Sequence, residues 1–175
     1  MRKIILYIAS SLDGYIARKD GSIDWLTDYP ILEDFDYGYS EFYNSIGTII
    51  MGGNSYRDAL KMSDEWLYPE KISYVITNRP EDDQENIRFI SSNVVDFISG
   101  LKQREGKDIW LFGGGQIISL LLNNSLVDEM IITYIPVILG NGIPLFSNNL
   151  KESGWNLMKS EAYANSTYQV MYAKK

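Results

Sequence analysis

Two residue types are missing from the 175-residue chain, cysteine and histidine. Without cysteine there is no thiol catalysis, no thiolate metal site and no disulfide. Without histidine the commonest general acid/base and the commonest metal ligand are also gone. Proton chemistry is left to Asp, Glu, Tyr, Lys or water. Positive charge is in deficit as well: 16 Lys and Arg face 23 Asp and Glu, a net charge of −7, with an isoelectric point near 4.6. That balance argues against nucleic acid or an anionic membrane as partner, although local geometry can still gather a small anion. No window approaches the roughly 20 apolar residues of a membrane span. The apolar run from Ile4 to Ala9, after Met1-Arg2-Lys3, is shorter than the about 7–15 residues of a signal-peptide core, and Asp13, Arg18, Lys19 and Asp20 follow closely. It reads as a buried strand, and the expected location is the cytoplasm. Repeats, linkers and low-complexity stretches are likewise lacking.

What is present is an ordinary globular composition, 45% hydrophobic and 22% charged. A chain of this size buries about 70% of its unfolded surface and needs no staple. Apolar runs rich in β-branched residues predict strands over residues 2–10, 46–51, 72–77, 87–90, 108–112 and 130–138. Helical spacing predicts helices over 31–45 (Leu32, Phe35, Tyr39, Phe42, with Gly38 as a weak point), 55–60, from 94 onward with Ser92 or Asn93 as cap, and 116–122. Trp25 falls in a Gly- and Asp-marked loop, Gly140-Asn141-Gly142 is a turn, and residues 154–163 and 167–174 pair as a hairpin around Asn165-Ser166. The expected fold is α/β: a doubly wound, mostly parallel central sheet with helices on both faces and a C-terminal antiparallel hairpin, one domain spanning 1–175.

Four places carry chemistry. Trp110-Leu111-Phe112-Gly113-Gly114-Gly115-Gln116-Ile117 is a strand, three glycines and a helix start. Glycines let backbone approach a pyrophosphate, and a helix N-terminus offers free N–H groups. The same residues also fit a plain strand-to-helix turn, because the full Gly-x-Gly-x-x-Gly fingerprint is absent. The stretch from Thr48 to Tyr56 repeats the pattern through Gly52-Gly53, with Asn54 or Ser55 as candidate N-cap. Two such strand ends fit ligand binding at the carboxyl edge of an open α/β sheet. Thr77-Asn78-Arg79 sets a hydroxyl, an amide and a guanidinium just beyond a strand, suited to a 2′-phosphate, or to a solvated loop. Asp13, Gly14 and Trp25, with the acidic Glu33, Asp34 and Asp36, can recognise a heterocycle edge or assist protonation. Helix-dipole compensation accounts for the same carboxylates.

In this order the pieces resemble the dihydrofolate reductase superfamily, and within it the branch of the reductase domain of bifunctional riboflavin-biosynthesis deaminase-reductases. The residues are Ala9-Ser10-Ser11-Leu12-Asp13-Gly14, Gly21-Ser22-Ile23-Asp24-Trp25, Ile50-Met51-Gly52, Phe112 to Gly115, and Asp128-Glu129 followed by Pro136 to Phe146. The resemblance covers essentially the whole chain. It implies NADPH, with the nicotinamide near Ala9 and Ile16 and the pyrophosphate over Gly52, Gly53, Asn54 and Ser55 and over Phe112, Gly113, Gly114, Gly115, Gln116 and Ile117. Thr77, Asn78 and Arg79 would surround the adenosine ribose. Tyr7, Trp25, Asp36 and Thr133 would line the substrate side, Asp36 and Thr133 as catalytic residues, and Asp34 competes with Asp36 for the acidic position. Thr133 looks like the strand threonine that supports the pterin-binding carboxylate. Members usually carry a basic residue straight after the Met-Gly pair. Here it is Gly53, so either Arg79 compensates or selection for NADPH over NADH is weak.

The implied reaction is hydride transfer from NADPH to a C=N or C=O carbon of a pterin-like or ribosylaminopyrimidine substrate, with a proton from water or from a carboxylate such as Asp36. Only Lys3, Arg18 and Lys19 stand out as contacts for a ribose phosphate. The competing reading is an NADP(H)-binding protein without turnover. Related reductase domains pair through their C-terminal strands, which implies a homodimer.

Overall fold

β1 (Ile4–Ser11) carries Ile4, Ile5 and Leu6 in succession, all buried, which requires cover on both faces of the sheet. A computed structural model, describing residues 1–30, 32 and 36–175, provides it. β1 pairs in parallel with β6 (Asp108–Gly113) and with β7 (Glu129–Ile135). β3 (Ile46–Gly52), β4 (Ile72–Ile76) and β5 (Ile87–Ile90) extend the parallel part beyond β6. β10 (Tyr168–Lys174) runs antiparallel to β7, and β9 (Trp155–Ala162) closes that edge. The order of the eight strands is β5-β4-β3-β6-β1-β7-β10-β9.

Alternate strand residues feed two cores, as the two-residue period of a strand demands. Ile4, Leu6, Ile50 and Leu111 pack with Ile98 and Leu101 of α4 (Val94–Gln103) and Ile118 and Leu121 of α5 (Gly115–Asn123). Ile5, Ile49, Met51 and Trp110 pack on the opposite face with Phe42 of α2 (Tyr39–Ser45) and Tyr56 of α3 (Gly53–Met62). Each of these aliphatic side chains stabilises by about 1.5–3 kcal/mol on full burial. The two faces are therefore both covered by helices. Among the described residues no helix is long and apolar enough to cross a membrane, and no group of acidic residues is placed to hold a metal ion.

Several local expectations are corrected. The helix expected over 31–45 is helical over Tyr39–Ser45; residues 31 and 33–35 lie outside the described set. Its start is set by Gly38, whose φ of 78° is left-handed and breaks the right-handed helix. Trp25 sits not in a loop but in a single-turn helix, α1 (Asp24–Thr27), and is buried. α3 begins at Gly53, so Asn54 and Ser55 fall within its first turn rather than capping it; Asn93 holds the expected N-cap position of α4, but its side chain makes no capping hydrogen bond among the described residues. β7 stops at Ile135 because Pro136 has no N–H for the ladder. A miniature antiparallel pair, β2 (Tyr15–Ala17) with β8 (Ile143–Pro144), is too short to leave a periodic signal.

Candidate active site

The carboxyl ends of β1, β3, β4 and β6 open into a cleft of about 1110 Å³. This is the edge at which open α/β sheets take ligands. Ala9 and Ile16 line it near β1, Gly52, Gly53, Asn54 and Ser55 at the β3–α3 junction, and Thr77, Asn78 and Arg79 beyond β4. Phe112, Gly113, Gly114, Gly115, Gln116 and Ile117 line it at the β6–α5 junction.

The two junctions form one cradle. A Cβ on Gly52 would stand 3.3 Å from Ile117 Cγ1, and one on Gly114 would stand 3.3 Å from Ser55 Oγ. Gly113 has φ 131°, a conformation closed to other residues, and a Cβ on Gly115 would meet the Pro144 carbonyl at 2.8 Å. Gly52 and Gly114 are the N-caps of α3 and α5, and among the described residues neither helix start receives a side-chain hydrogen bond. Two helix ends with uncommitted first-turn N–H groups thus converge on a floor without side chains, the chemistry that holds a pyrophosphate. The residues present fit a dinucleotide.

The adenosine end of such a ligand would meet cations. Arg57 and Arg79 line the cleft beside Thr77, whereas Lys61 is paired with Asp58 at 2.7 Å, and Arg79 N donates to Thr77 Oγ1 at 3.1 Å. The tertiary structure explains Gly53. A Cβ there would lie 2.7 Å from Thr77 Oγ1 and 2.8 Å from Thr77 Cβ, with Arg57 Nη1 3.3 Å away. Thr77 fills the space a larger residue needs, and the guanidinium of Arg57, one helical turn on, stands beside it. Arg57 Nη2 donates to Asn54 Oδ1 at 2.6 Å. Sequence reasoning missed Arg57, although its i+4 spacing from Gly53 was a usable signal.

A smaller pocket of about 240 Å³ adjoins the cleft; Tyr7, Ala9 and Leu26 line both. Its floor follows from strand register, because Ala9, Thr133 and Gln169 are direct neighbours across β1, β7 and β10. Gln169 Nε2 donates to Thr133 Oγ1 at 2.9 Å and to the Tyr37 carbonyl at 3.3 Å. The partner of Thr133 is therefore an amide rather than a carboxylate. Tyr7 stacks on Phe42 with ring centroids 4.4 Å apart. Burial pushes its hydroxyl up to about 12, partly offset by the hydrogen bond from Gln169, so it remains a neutral donor.

Asp36 also lines this pocket, but its carboxylate accepts from Gly38 N at 3.0 Å and Ser40 N at 2.9 Å. Hydrogen bonds from the Ser40 side chain and backbone, and from Gly38 N, hold it below the usual carboxylate range. An ionised helix-capping carboxylate has no proton to give near neutrality. Trp25 lines neither space: it is buried, and its Nε1 has no hydrogen-bond partner among the described residues. Asp34 lies outside the described residues. Asp13 serves structure, accepting from Leu139 N, Gly140 N and Ser11 Oγ. Asn165 reaches the pocket from the β9–β10 turn, donating to the Pro30 carbonyl at 3.0 Å and to Tyr37 Oη at 2.6 Å. Neither it nor Gln169 had a sequence signal, since only strand pairing brings residues 165–169 beside Pro30 and Tyr37.

The family model of the RibD C-terminal domain matches residues 2–168. This chain belongs to that family. The chain is also similar to YwjB, an uncharacterized protein of Bacillus subtilis (strain 168), 38% identical over 99% of this chain and 98% of that one. Among solved structures, a putative riboflavin biosynthesis protein from Shewanella sp. PV-4 superposes with a TM-score of 0.87 at 32% identity, covering 99% of both chains. A diaminohydroxyphosphoribosylaminopyrimidine deaminase/5-amino-6-(5-phosphoribosylamino)uracil reductase from Thermotoga maritima gives a TM-score of 0.73 at 18% identity over 99% of this chain and 57% of that one. Dihydrofolate reductase from Enterococcus faecalis, complexed with NADP(H), gives 0.69 at 16% identity over 99% and 96%. The last two show that the RibD C-terminal domain shares the dihydrofolate reductase fold. Family and neighbours together support a reductase.

Proposed function

We propose that this chain is an NADPH-dependent reductase that holds the dinucleotide in the large cleft and its substrate in the adjoining pocket. The observation that carries the reading is the pair of uncapped helix starts, α3 and α5, facing each other over a glycine floor. A nicotinamide cofactor bound there supplies a hydride, which in this reading goes to a C=N or C=O carbon of a pterin-like or ribosylaminopyrimidine substrate. The backbone N–H groups of Gly53 to Ser55 and of Gly115 and Gln116 take the pyrophosphate, Ile117 N being bonded to the Gly114 carbonyl at 3.0 Å. Arg57 and Arg79 together select a 2′-phosphate, replacing the basic residue that Gly53 excludes. Tyr7, common to both spaces, donates a hydrogen bond to the substrate. Asp36 is committed to α2, so solvent supplies the proton.

A titration of intrinsic tryptophan fluorescence with NADPH and, separately, NADH tests this. NADPH should saturate, and Arg57→Ala and Arg79→Ala should each weaken it about 5–50-fold while leaving NADH binding nearly unchanged. Failure of both nucleotides to bind would overturn the assignment. We also propose a homodimer paired through the β9 edge, whose Leu157 and Met158 are 56% and 62% exposed.

A further inference from the structure

Charge is distributed unevenly over the two connected spaces. The cations of the site, Arg57, Lys61 and Arg79, all line the large cleft. Among the described residues no Lys or Arg lines the smaller pocket. Its surroundings continue the pattern along the chain. Residues 20–56, from which one wall is drawn, contain seven carboxylates and no Lys or Arg. Residues 131–150, which contribute Thr133 and Ile135, contain no charged side chain, and residues 160–168, which contribute Asn165 and Thr167, contain Glu161 as their one charge. Two of the basic residues flanking these segments are engaged with carboxylates. Arg18 donates to both carboxylate oxygens of Asp24, at 2.6 and 2.9 Å, and Lys159 pairs with Glu161 at 2.7 Å.

Apart from Asp36, the polar groups that face the pocket are neutral. Tyr7, Tyr37, Thr133 and Asn165 present hydroxyls and an amide, with Gln169 behind them, and Tyr29 and Tyr39 add aromatic surface. The ionised carboxylate of Asp36 stands at the same wall. A phosphate or carboxylate on a ligand entering here would lose hydration without meeting a counter-charge, beside a carboxylate that repels it. A flat ligand with hydroxyl, amide or amine edges meets partners throughout, and its rings meet tyrosine faces.

We infer that the substrate of this chain is a planar, hydrogen-bonding heterocycle that carries no phosphate and no carboxylate. The inference rests on the reading of the large cleft as the cofactor side. It divides the ribosylaminopyrimidine class, assigning this chain the dephosphorylated riboside, and the pterin class, assigning it a pterin without an anionic tail.

Matched pairs test it on the intact protein saturated with NADP⁺. One pair is 5-amino-6-ribosylaminouracil and its 5′-phosphate; the other is 7,8-dihydropterin and dihydrofolate. Calorimetric titration should find the uncharged member bound at least about tenfold more tightly in at least one pair, with the anionic member weaker in both. Raising salt from about 0.05 M to about 0.5 M should improve binding of the anionic members and leave the uncharged ones unchanged, because screening relieves repulsion. Tyr39→Lys should raise affinity for the 5′-phosphate. An anionic member binding as tightly as its partner, or weakening with salt, overturns the inference. So does NADP⁺ binding with no binding of any of the four. Failure of NADP⁺ itself to bind instead overturns the cofactor reading, and the fluorescence titration detects that separately.

Discussion

Gly53 is the residue at which the expectation drawn from the resemblance and this fold part company. The space above it belongs to Thr77, and the charge expected there comes from Arg57 instead. Gly53→Lys should therefore not improve NADPH binding. It should destabilise by about 1–3 kcal/mol through overpacking, as measured by urea denaturation, and Thr77→Gly in the same chain should recover most of that loss. Tyr7 makes a second residue-scale case. Its hydroxyl is raised to about 12 by burial, against the Gln169 hydrogen bond that lowers it. Below pH 10 the group is neutral whether folded or not. As pH rises from about 10 to about 12 the unfolded chain releases a proton that the native chain retains, so stability falls across that window. Tyr7→Phe should remove a loss on the order of 1–2 kcal/mol after solvent screening, seen as a flatter dependence of the denaturation midpoint on alkaline pH. The same variant should lower turnover about 10–100-fold, the worth of a lost donor, with NADPH affinity intact.

Among elements, the β9–β10 hairpin has a reach beyond its strands. Its turn is fastened to the segment that walls the smaller pocket: Asn165 donates to Pro30 and Tyr37, its carbonyl accepts from Tyr29 Oη, and Tyr37 meets Tyr163 edge-on at 4.9 Å. Asn165→Ala should cost about 1–3 kcal/mol. It should also increase proteolytic cleavage within residues 28–38 before any cleavage in α4 or α5, resolved by mass spectrometry of the fragments. Cleavage that starts elsewhere would mean the hairpin does not hold that wall. At the opposite end of the sheet Asp128 ties elements together, accepting from Ile4 N at 2.8 Å and from the buried Lys102 Nζ at 2.7 Å. The acidic pair read from the sequence thus has a structural half, Asp128, distant in role from the cleft.

At the scale of the molecule, the sheet has one parallel flank that builds the cleft and one antiparallel flank that ends in an exposed edge. β9 presents Leu157 and Met158 outward, and an unpaired apolar edge strand invites another. Sedimentation should find a dimer, and Leu157→Lys should convert it to a monomer whose affinity for NADPH is unchanged. A monomeric parent chain would remove the β9 pairing. The strands along the chain were legible because βαβ patterning leaves long apolar runs and glycine punctuation at the cleft side, whereas their order across the sheet came only from the structure. The start of α2 was not, since Leu32 and Phe35 share the helical spacing of Phe42 while the left-handed Gly38 interrupts it.

Local chemistry by itself determined the α/β class, the two glycine junctions after β3 and β6, the absence of histidine and thiol chemistry, and the lack of basic residues over 20–56. Each follows from residue type and short-range spacing. Only the tertiary structure decided that the two junctions face one another, that Thr77 closes the space above Gly53, that Gln169 rather than a carboxylate partners Thr133, and that Asp36 caps a helix. Those outcomes depend on strand register and crossover packing, which bring together residues that in three of these four cases lie tens of positions apart, where propensity carries no information.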